Sequence, residues 1–300
     1  MTAVSKVQIS PQGPMLSRFI QGYWRLADWD MSPRQRLSFI KAHLELGITT
    51  VDHAHVYGNP SCESLFGEAL KLEPGLRDQL EIISKFGICV PGPGTVAHYQ
   101  TSRQAIIDSV KESLGRLGTD YLDVLLVHRP DFLMDADEVA ETFAHLRRQG
   151  MVKHFGVSNF TVAQMSLLQS RLDQPLVTNQ VELNPVNLDV LESGMLEALQ
   201  QARVRPMAWS CLAGGGIFSY ASERMDRLRA TLNELREELG AESIEQVIYA
   251  WVMKMPCQPL PILGTGNMAR ITTAVASQEL ALTPEQWYRV WSSSRGHAVP

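Results

Sequence analysis

The strongest constraint on this chain is a rhythm. A short apolar run is followed by an amphipathic stretch, and the unit recurs eight times. The strand-like runs are Phe19-Ile20, Thr49 to Asp52, Glu81 to Lys85, Asp123 to His128, Val152 to Val157, Val177 to Val181, Pro206 to Trp209 and Leu260 to Leu263. Helical periodicity fills the intervals, from Ser32-Pro33 to near Gly47, then Glu63 to Leu70, Ser102 to Leu117, Ala136 to Gln149, Val162 to Leu172, Leu191 to Ala202 and, last, Met268 to Ser277. Strands that alternate with helices pair in parallel, because each crossover returns the chain to the same end of the sheet. Eight such units predict a closed (β/α)8 TIM barrel, a fold of about 250 residues, so residues 1–300 read as one domain. The rival is an open doubly wound sheet, which holds a dinucleotide on a Gly-x-Gly-x-x-Gly turn after its first strand. Here the first strand runs into Gln21-Gly22-Tyr23-Trp24, which is no such turn.

Some segments fall outside the rhythm. Lys6 to Ile9 and Pro14 to Leu16 flank Pro11-Gln12-Gly13 and predict an N-terminal β-hairpin. The seventh strand is followed by two helical stretches instead of one, Arg224 to Leu239 and Ile244 to Met255, Pro284 to Trp291 predicts a last extra helix, and Pro91-Gly92-Pro93-Gly94 reads as a loop. The formal net charge of −5 argues against a nucleic-acid partner, which needs a basic face. Met1 to Ser10 has no apolar segment of the secretory kind, and no apolar run approaches the roughly 18 residues of a membrane span. Cys62, Cys89, Cys211 and Cys257 form no close pair, as in a protein of reduced thiols. The expectation is a cytoplasmic protein, with no membrane and no obligate protein partner.

Barrels of this kind carry their chemistry at the C-terminal ends of the strands. The second strand ends in Asp52, with Tyr57 in the next loop; the third ends in Lys85 and the fourth in His128. The fifth ends in Ser158-Asn159, the sixth carries Gln180 and Glu182, the seventh ends in Trp209-Ser210, and the eighth runs into Gly264-Thr265-Gly266. A carbonyl oxygen must be protonated when its carbon takes up hydride. A tyrosine hydroxyl titrates near 10, and a neighbouring ammonium favours the phenolate. Lys85 is therefore expected to lower the value for Tyr57, Asp52 to hold Lys85 charged, and His128 to hydrogen-bond the carbonyl oxygen.

Four segments then add a resemblance. Val51-Asp52-His53-Ala54-His55-Val56-Tyr57-Gly58, Leu126-Val127-His128-Arg129-Pro130-Asp131, the run from Gly150 to Phe160 (with Phe155-Gly156-Val157-Ser158-Asn159 at its centre), and Asn179-Gln180-Val181-Glu182-Leu183-Asn184-Pro185 follow in order. In spacing and content, over essentially the whole chain, they resemble the motifs of the aldo-keto reductases. The resemblance implies NADPH-dependent reduction of a small-molecule carbonyl, on a barrel that binds its cofactor without a Rossmann fold. It implies Asp52, Tyr57, Lys85 and His128 as a catalytic tetrad, with Tyr57 as proton donor. Ser158, Asn159 and Gln180 match the groups around the nicotinamide carboxamide, and Trp209 matches the aromatic that stacks on its ring. Ser210, Leu212 and Gly214 match the turn along the pyrophosphate, and Gly22, Trp24 and Arg25 lie near the ribose. Thr265 and Arg270 match the pocket of the 2′-phosphate.

Three positions depart from the pattern. His53 replaces a small residue, Asn184 a common histidine, and Gly264 the lysine that many members pair with the 2′-phosphate. Two other functions compete with this one. His53-x-His55 has the spacing of a metal pair, but later strand ends add Ser158-Asn159, Gln180, Glu182 and Gly264, with no His or Asp except His128 to complete it, so no metal is expected. Potassium-channel β-subunits resemble the same fold and act as cofactor-binding partners with little turnover. The tail after Trp291 is short and predicts an open pocket; Arg129 either biases that pocket toward anionic carbonyls or faces solvent.

Overall fold

The computed structural model describes residues 3–300. Its centre is a closed barrel of eight parallel strands in chain order. These are β1 (Ile20–Gly22), β2 (Thr50–Asp52), β3 (Glu81–Phe86), β4 (Leu122–Val127), β5 (Val152–Ser158), β6 (Asn179–Glu182), β7 (Met207–Trp209) and β8 (Leu260–Leu263). Closure comes from β8 pairing with β1, in the register Ile262 to Ile20 and Leu263 to Gln21. Gly22 stands opposite Asp52 across the β1–β2 ladder. A Cβ at Gly22 would meet Ile262 Cγ2 at 2.8 Å, so only glycine lets β1 approach β8 here.

The helices lie outside: α1 (Pro33–Glu45), α2 (Cys62–Leu70), α3 (Arg103–Leu117), α4 (Ala136–Arg148), α5 (Val162–Gln169), α6 (Met195–Gln201), α7 (Glu223–Leu239), α8 (Ile244–Met253), α9 (Met268–Ala276) and α10 (Pro284–Arg295). Their ends follow local chemistry. Ser32 and Gln35 form a reciprocal capping box ahead of α1, with Pro33 at its first position. The predicted helix from Leu191 to Ala202 is broken instead at Gly194, whose φ of 73° is left-handed, and Asp189–Glu192 becomes a separate turn. The helix predicted to reach Leu172 stops at Gln169, whose side chain turns to accept the Leu176 N–H at 2.7 Å. The Pro/Gly segment hides a small hairpin, Ile88–Cys89 against His98–Tyr99, that the sequence did not suggest.

The N-terminal hairpin, Lys6–Gln8 against Met15–Ser17, is present as expected. It buries Ile9 and Leu16 among Ile20, Ile83, Val124, Leu126, Val177, Met207, Leu260 and Ile262, the apolar interior of the barrel. A second apolar shell, from Val4 to Val290, fills the space between strands and helices. The hairpin thus closes the end away from the C-terminal strand tips, and the polar strand ends gather at the other.

Candidate active site

Lys85 is the centre of the polar cluster. It lies at the end of β3 and is 1% exposed. Its ammonium donates to Asp52 Oδ2 at 2.7 Å, the His53 carbonyl at 2.8 Å and the Tyr57 hydroxyl at 2.9 Å. Those are three acceptors for three protons. Asp52 takes a second bond on Oδ1 from the Gln180 amide, at 2.8 Å. That bond crosses the barrel from β6 to β2. The chain beyond β2 stays paired with β3, His53 N–H to the Ile83 carbonyl and His55 N–H to the Lys85 carbonyl, and this carries it to the Tyr57 turn. Gly58 closes that turn with φ 65°, and a Cβ there would meet Cys62 Sγ at 2.6 Å.

Burial raises the Tyr57 hydroxyl above its ordinary value, and the Lys85 ammonium, pulling the other way, does not overcome it. This corrects the expectation of a lowered value. Tyr57 is half-buried, and the sequence places a cation beside it but says nothing of how far the fold desolvates its hydroxyl. Burial also opposes the charge on Lys85, yet Asp52 and Tyr57 together hold its value above the usual one. The site is therefore a neutral phenol beside a permanent ammonium. Since the hydroxyl oxygen accepts from Lys85, its own proton is free to point into the mouth.

His128 stands edge-on to Tyr57, with ring centroids 5.6 Å apart. Burial, then the charges of Lys85 and Arg129, depress its value well below the ordinary one, so the ring is neutral. Its Nδ1 is buried without a protein partner. On the next strands Ser158 donates to the Gln180 carbonyl at 3.0 Å, and the Asn159 amide donates to Ser158 at 2.8 Å. Asn159 Oδ1 in turn accepts the Trp209 indole N–H at 3.0 Å, which fixes that ring by its edge. The Arg129 guanidinium lies over the Trp209 ring, 5.4 Å from its centroid. Arg129 thus faces the mouth, an orientation the sequence left open.

The remaining candidates occupy the rim. Ser210, Ala213, Gly214 and Gly215 all have positive φ, and so bend the chain sharply after β7. Leu212 in that bend packs against the outer core. Arg25 stacks on the exposed ring of Trp24 and reaches the Gly214 carbonyl at 3.4 Å, joining the β1 and β7 loops. After β8, Thr265 Oγ1 accepts the Asn267 N–H, and Asn267 caps α9 by accepting the Ala269 N–H. One first-turn amide is therefore already taken. Arg270, in the first turn of α9, is exposed and has no ion-pair partner among the described residues. A Cβ at Gly215 or Gly264 would meet nothing within 4 Å, so open space adjoins both loops.

Comparison with known proteins gives the family. The model of the Aldo/keto reductase family matches residues 18–294. The chain belongs to the aldo/keto reductase family. Among similar aldo/keto reductases and oxidoreductases, Oxidoreductase YdhF of Escherichia coli is 55% identical over 299 residues, covering 99% of this chain and all of that one. A 6-dehydroglucose reductase of Agrobacterium fabrum is 40% identical, covering 95% of this chain and 96% of that one. The crystal structure of a thermostable aldo-keto reductase, Tm1743, with the inhibitor epalrestat superposes with a TM-score of 0.81 at 26% identity, covering 96% and 99% of the two chains. As an aldo/keto reductase the protein is an NAD(P)H-dependent oxidoreductase acting on carbonyl compounds. No helix among the described residues is long and apolar enough to cross a membrane.

The two histidines with the spacing of a metal pair diverge in this aldo/keto reductase. His55 pairs with Glu112 at 2.9 Å, whereas His53 is fully buried, stacked on Tyr23 at 4.9 Å and edge-on to Phe66 at 4.5 Å. Neither ring nitrogen of His53 meets a protein partner. Behind it Tyr23 hydrogen-bonds His43 Nε2 at 2.9 Å, and His43 Nδ1 meets the Ile48 carbonyl at 2.7 Å. Burial, with a smaller contribution from Lys85, lowers His53 to about 3; burial lowers His43 to about 4, against its bond to Ile48. Both values lie below those of the unfolded chain, so the unfolded state binds more protons once pH falls below about 6.5. Folding stability is expected to drop by about 2 kcal/mol per imidazole between pH 7 and pH 5. Urea titrations at the two pH values check this, and His53→Phe should remove its own share. An unchanged pH slope in that variant would show that His53 is not buried as a neutral ring.

Proposed function

We propose that this protein reduces aldehyde or ketone carbonyls to alcohols with NADPH, Tyr57 being the general acid. The observation that carries the proposal is the single ammonium of Lys85 bonded at once to Asp52 and to the Tyr57 hydroxyl. A nicotinamide supplies hydride to the carbonyl carbon when bound. The residues at the mouth fit such a group. Trp209 offers a ring anchored by its edge, Ser158, Asn159 and Gln180 offer amide and hydroxyl groups beside it, and the loops at Ser210 to Gly215 and at Thr265 border open space.

The chain's own chemistry is then simple. The carbonyl oxygen sits between the Tyr57 hydroxyl and His128. Negative charge grows on that oxygen, and neutral His128 and the tyrosine O–H both donate to it. Tyr57 gives up its proton at Oη, and Lys85, 2.9 Å away, stabilises the phenolate left behind. Asp52, held by Lys85 and Gln180, keeps the ammonium in line. The test is loss of NADPH absorbance against a panel of aldehydes, ketones and dicarbonyls. Turnover of none of them would leave a cofactor-binding partner protein as the better description.

NADPH rather than NADH rests on Arg270. Gly264 supplies no charge, but a guanidinium can hold the 2′-phosphate by two parallel bonds, with the Thr265 hydroxyl alongside. Charge-assisted hydrogen bonds of about 1.5–3 kcal/mol correspond to roughly ten- to a hundredfold discrimination. Arg270→Ala is therefore expected to weaken NADPH by that factor and to leave NADH almost unaffected. Fluorescence titration of both cofactors decides it; equal losses would remove Arg270 from the 2′-phosphate site.

A further inference from the structure

Arg129 is a charge that nothing in the fold consumes. It follows His128 at the end of β4, and its guanidinium lies over the face of Trp209, 5.4 Å from the ring centroid. It makes no ion pair among the described residues. The carboxylates nearby are already engaged. Asp131, two residues on, accepts from the Thr101 hydroxyl at 2.7 Å and the Leu133 N–H at 2.9 Å. Asp52 is paired with Lys85 and accepts from the Gln180 amide, and Glu182 takes the amides of Asn184 and Asn187. The guanidinium is nonetheless close enough for its charge to be felt at both Tyr57 and His128. An arginine stacked on an aromatic keeps its edge free, and that edge is a fork of donors matched to a carboxylate, phosphate or sulfonate. Its attraction is strongest in a half-buried mouth, where water screens it least.

We infer that Arg129 is a specificity-determining residue that binds an anionic group on the carbonyl substrate, so that the preferred substrates are carbonyl compounds carrying a carboxylate, phosphate or sulfonate. The inference rests on the reductase reading of the same site and narrows it. It places the two ends of the substrate on consecutive residues. His128 serves the carbonyl oxygen and Arg129 the anion.

The experiment compares ortho-, meta- and para-carboxybenzaldehyde with their methyl esters, which have nearly the same shape and no charge. At the best-fitting position the free acid is expected to exceed its ester in kcat/KM by about ten- to a hundredfold, the size of a charge-assisted contact. Arg129→Gln should collapse that ratio toward one, and Arg129→Lys should restore part of it. A ratio unchanged in Arg129→Gln overturns the inference. So does an equal loss for acid and ester, which would mean that Arg129 only steadies Trp209 or the cofactor. Calorimetric titration of benzoate into each protein separates this inference from the broader reading. If no carbonyl turns over, the reductase proposal falls. A tenfold weaker benzoate affinity in Arg129→Gln still supports the anion site, and an equal affinity refutes it.

Discussion

Replacing Tyr57 with Phe is expected to lower kcat for carbonyl reduction by at least about a hundredfold, the usual contribution of a positioned general acid. The ring would stay where it is, edge-on to His128 and beneath the Lys85 ammonium. Only the hydroxyl and its bond to Lys85 would go. NADPH affinity should therefore hardly change. The raised value of the Tyr57 hydroxyl adds a second signature, since the acid stays protonated throughout the neutral range. The rate of reduction should be flat from neutral pH upward and fall only as the hydroxyl ionises, above the ordinary tyrosine value. Single-turnover rates across pH give both results together. Wild-type kcat in Tyr57→Phe, with the chemical step limiting, would dismiss the tyrosine.

The second large effect is expected at Lys85, where stability and activity should come apart. Lys85→Met removes the charge that stabilises the phenolate and strands Asp52, whose side chain is 4% exposed, with only the Gln180 amide. Breaking a buried pair in this way costs about 3–5 kcal/mol. Asp52→Asn strands the ammonium instead, but leaves it bonded to the His53 carbonyl and the Tyr57 hydroxyl. Lys85→Met should thus be the slower enzyme of the two in single turnovers. The double variant, with neither charge, should recover much of the lost stability and none of the lost activity. The reverse ranking of the singles would mean that the carboxylate acts on the substrate and the lysine merely holds it. Urea unfolding of the three variants beside their rates makes the comparison.

Much of this is legible in the sequence. Short apolar runs alternating with stretches of helical period announce parallel strands and helices, and eight of them leave a barrel as the economical closure. Asp52, Tyr57, Lys85 and His128 could be named because strand ends converge in such a fold, whatever the loops do. Contacts across the barrel were less accessible. Gln180 and Asp52 are far apart in sequence and meet only because β6 faces β2 across the interior. Alternation along β6, which sets Gln180 and Glu182 on one face, was the one available hint. The direction of the Tyr57 shift was missed for a related reason. A neighbouring charge is visible in a sequence, while exclusion of water is a property of the assembled site. The break at Gly194 shows the same limit locally, since the apolar spacing runs on through a residue whose backbone turns left-handed.

One further consequence follows from the three filled bonds of Lys85. A site that admits aldehydes with a lysine at its heart runs a chemical hazard, because a free amine adds to an aldehyde and condenses to an imine. That attack needs an unshared electron pair on nitrogen. Here the nitrogen is held as an ammonium, with every proton directed at a fixed acceptor. Asp52 and the His53 carbonyl are therefore more than supports. They keep the lysine non-nucleophilic, so that an electrophile arriving a few ångströms away meets a proton donor instead of an adduct-forming amine.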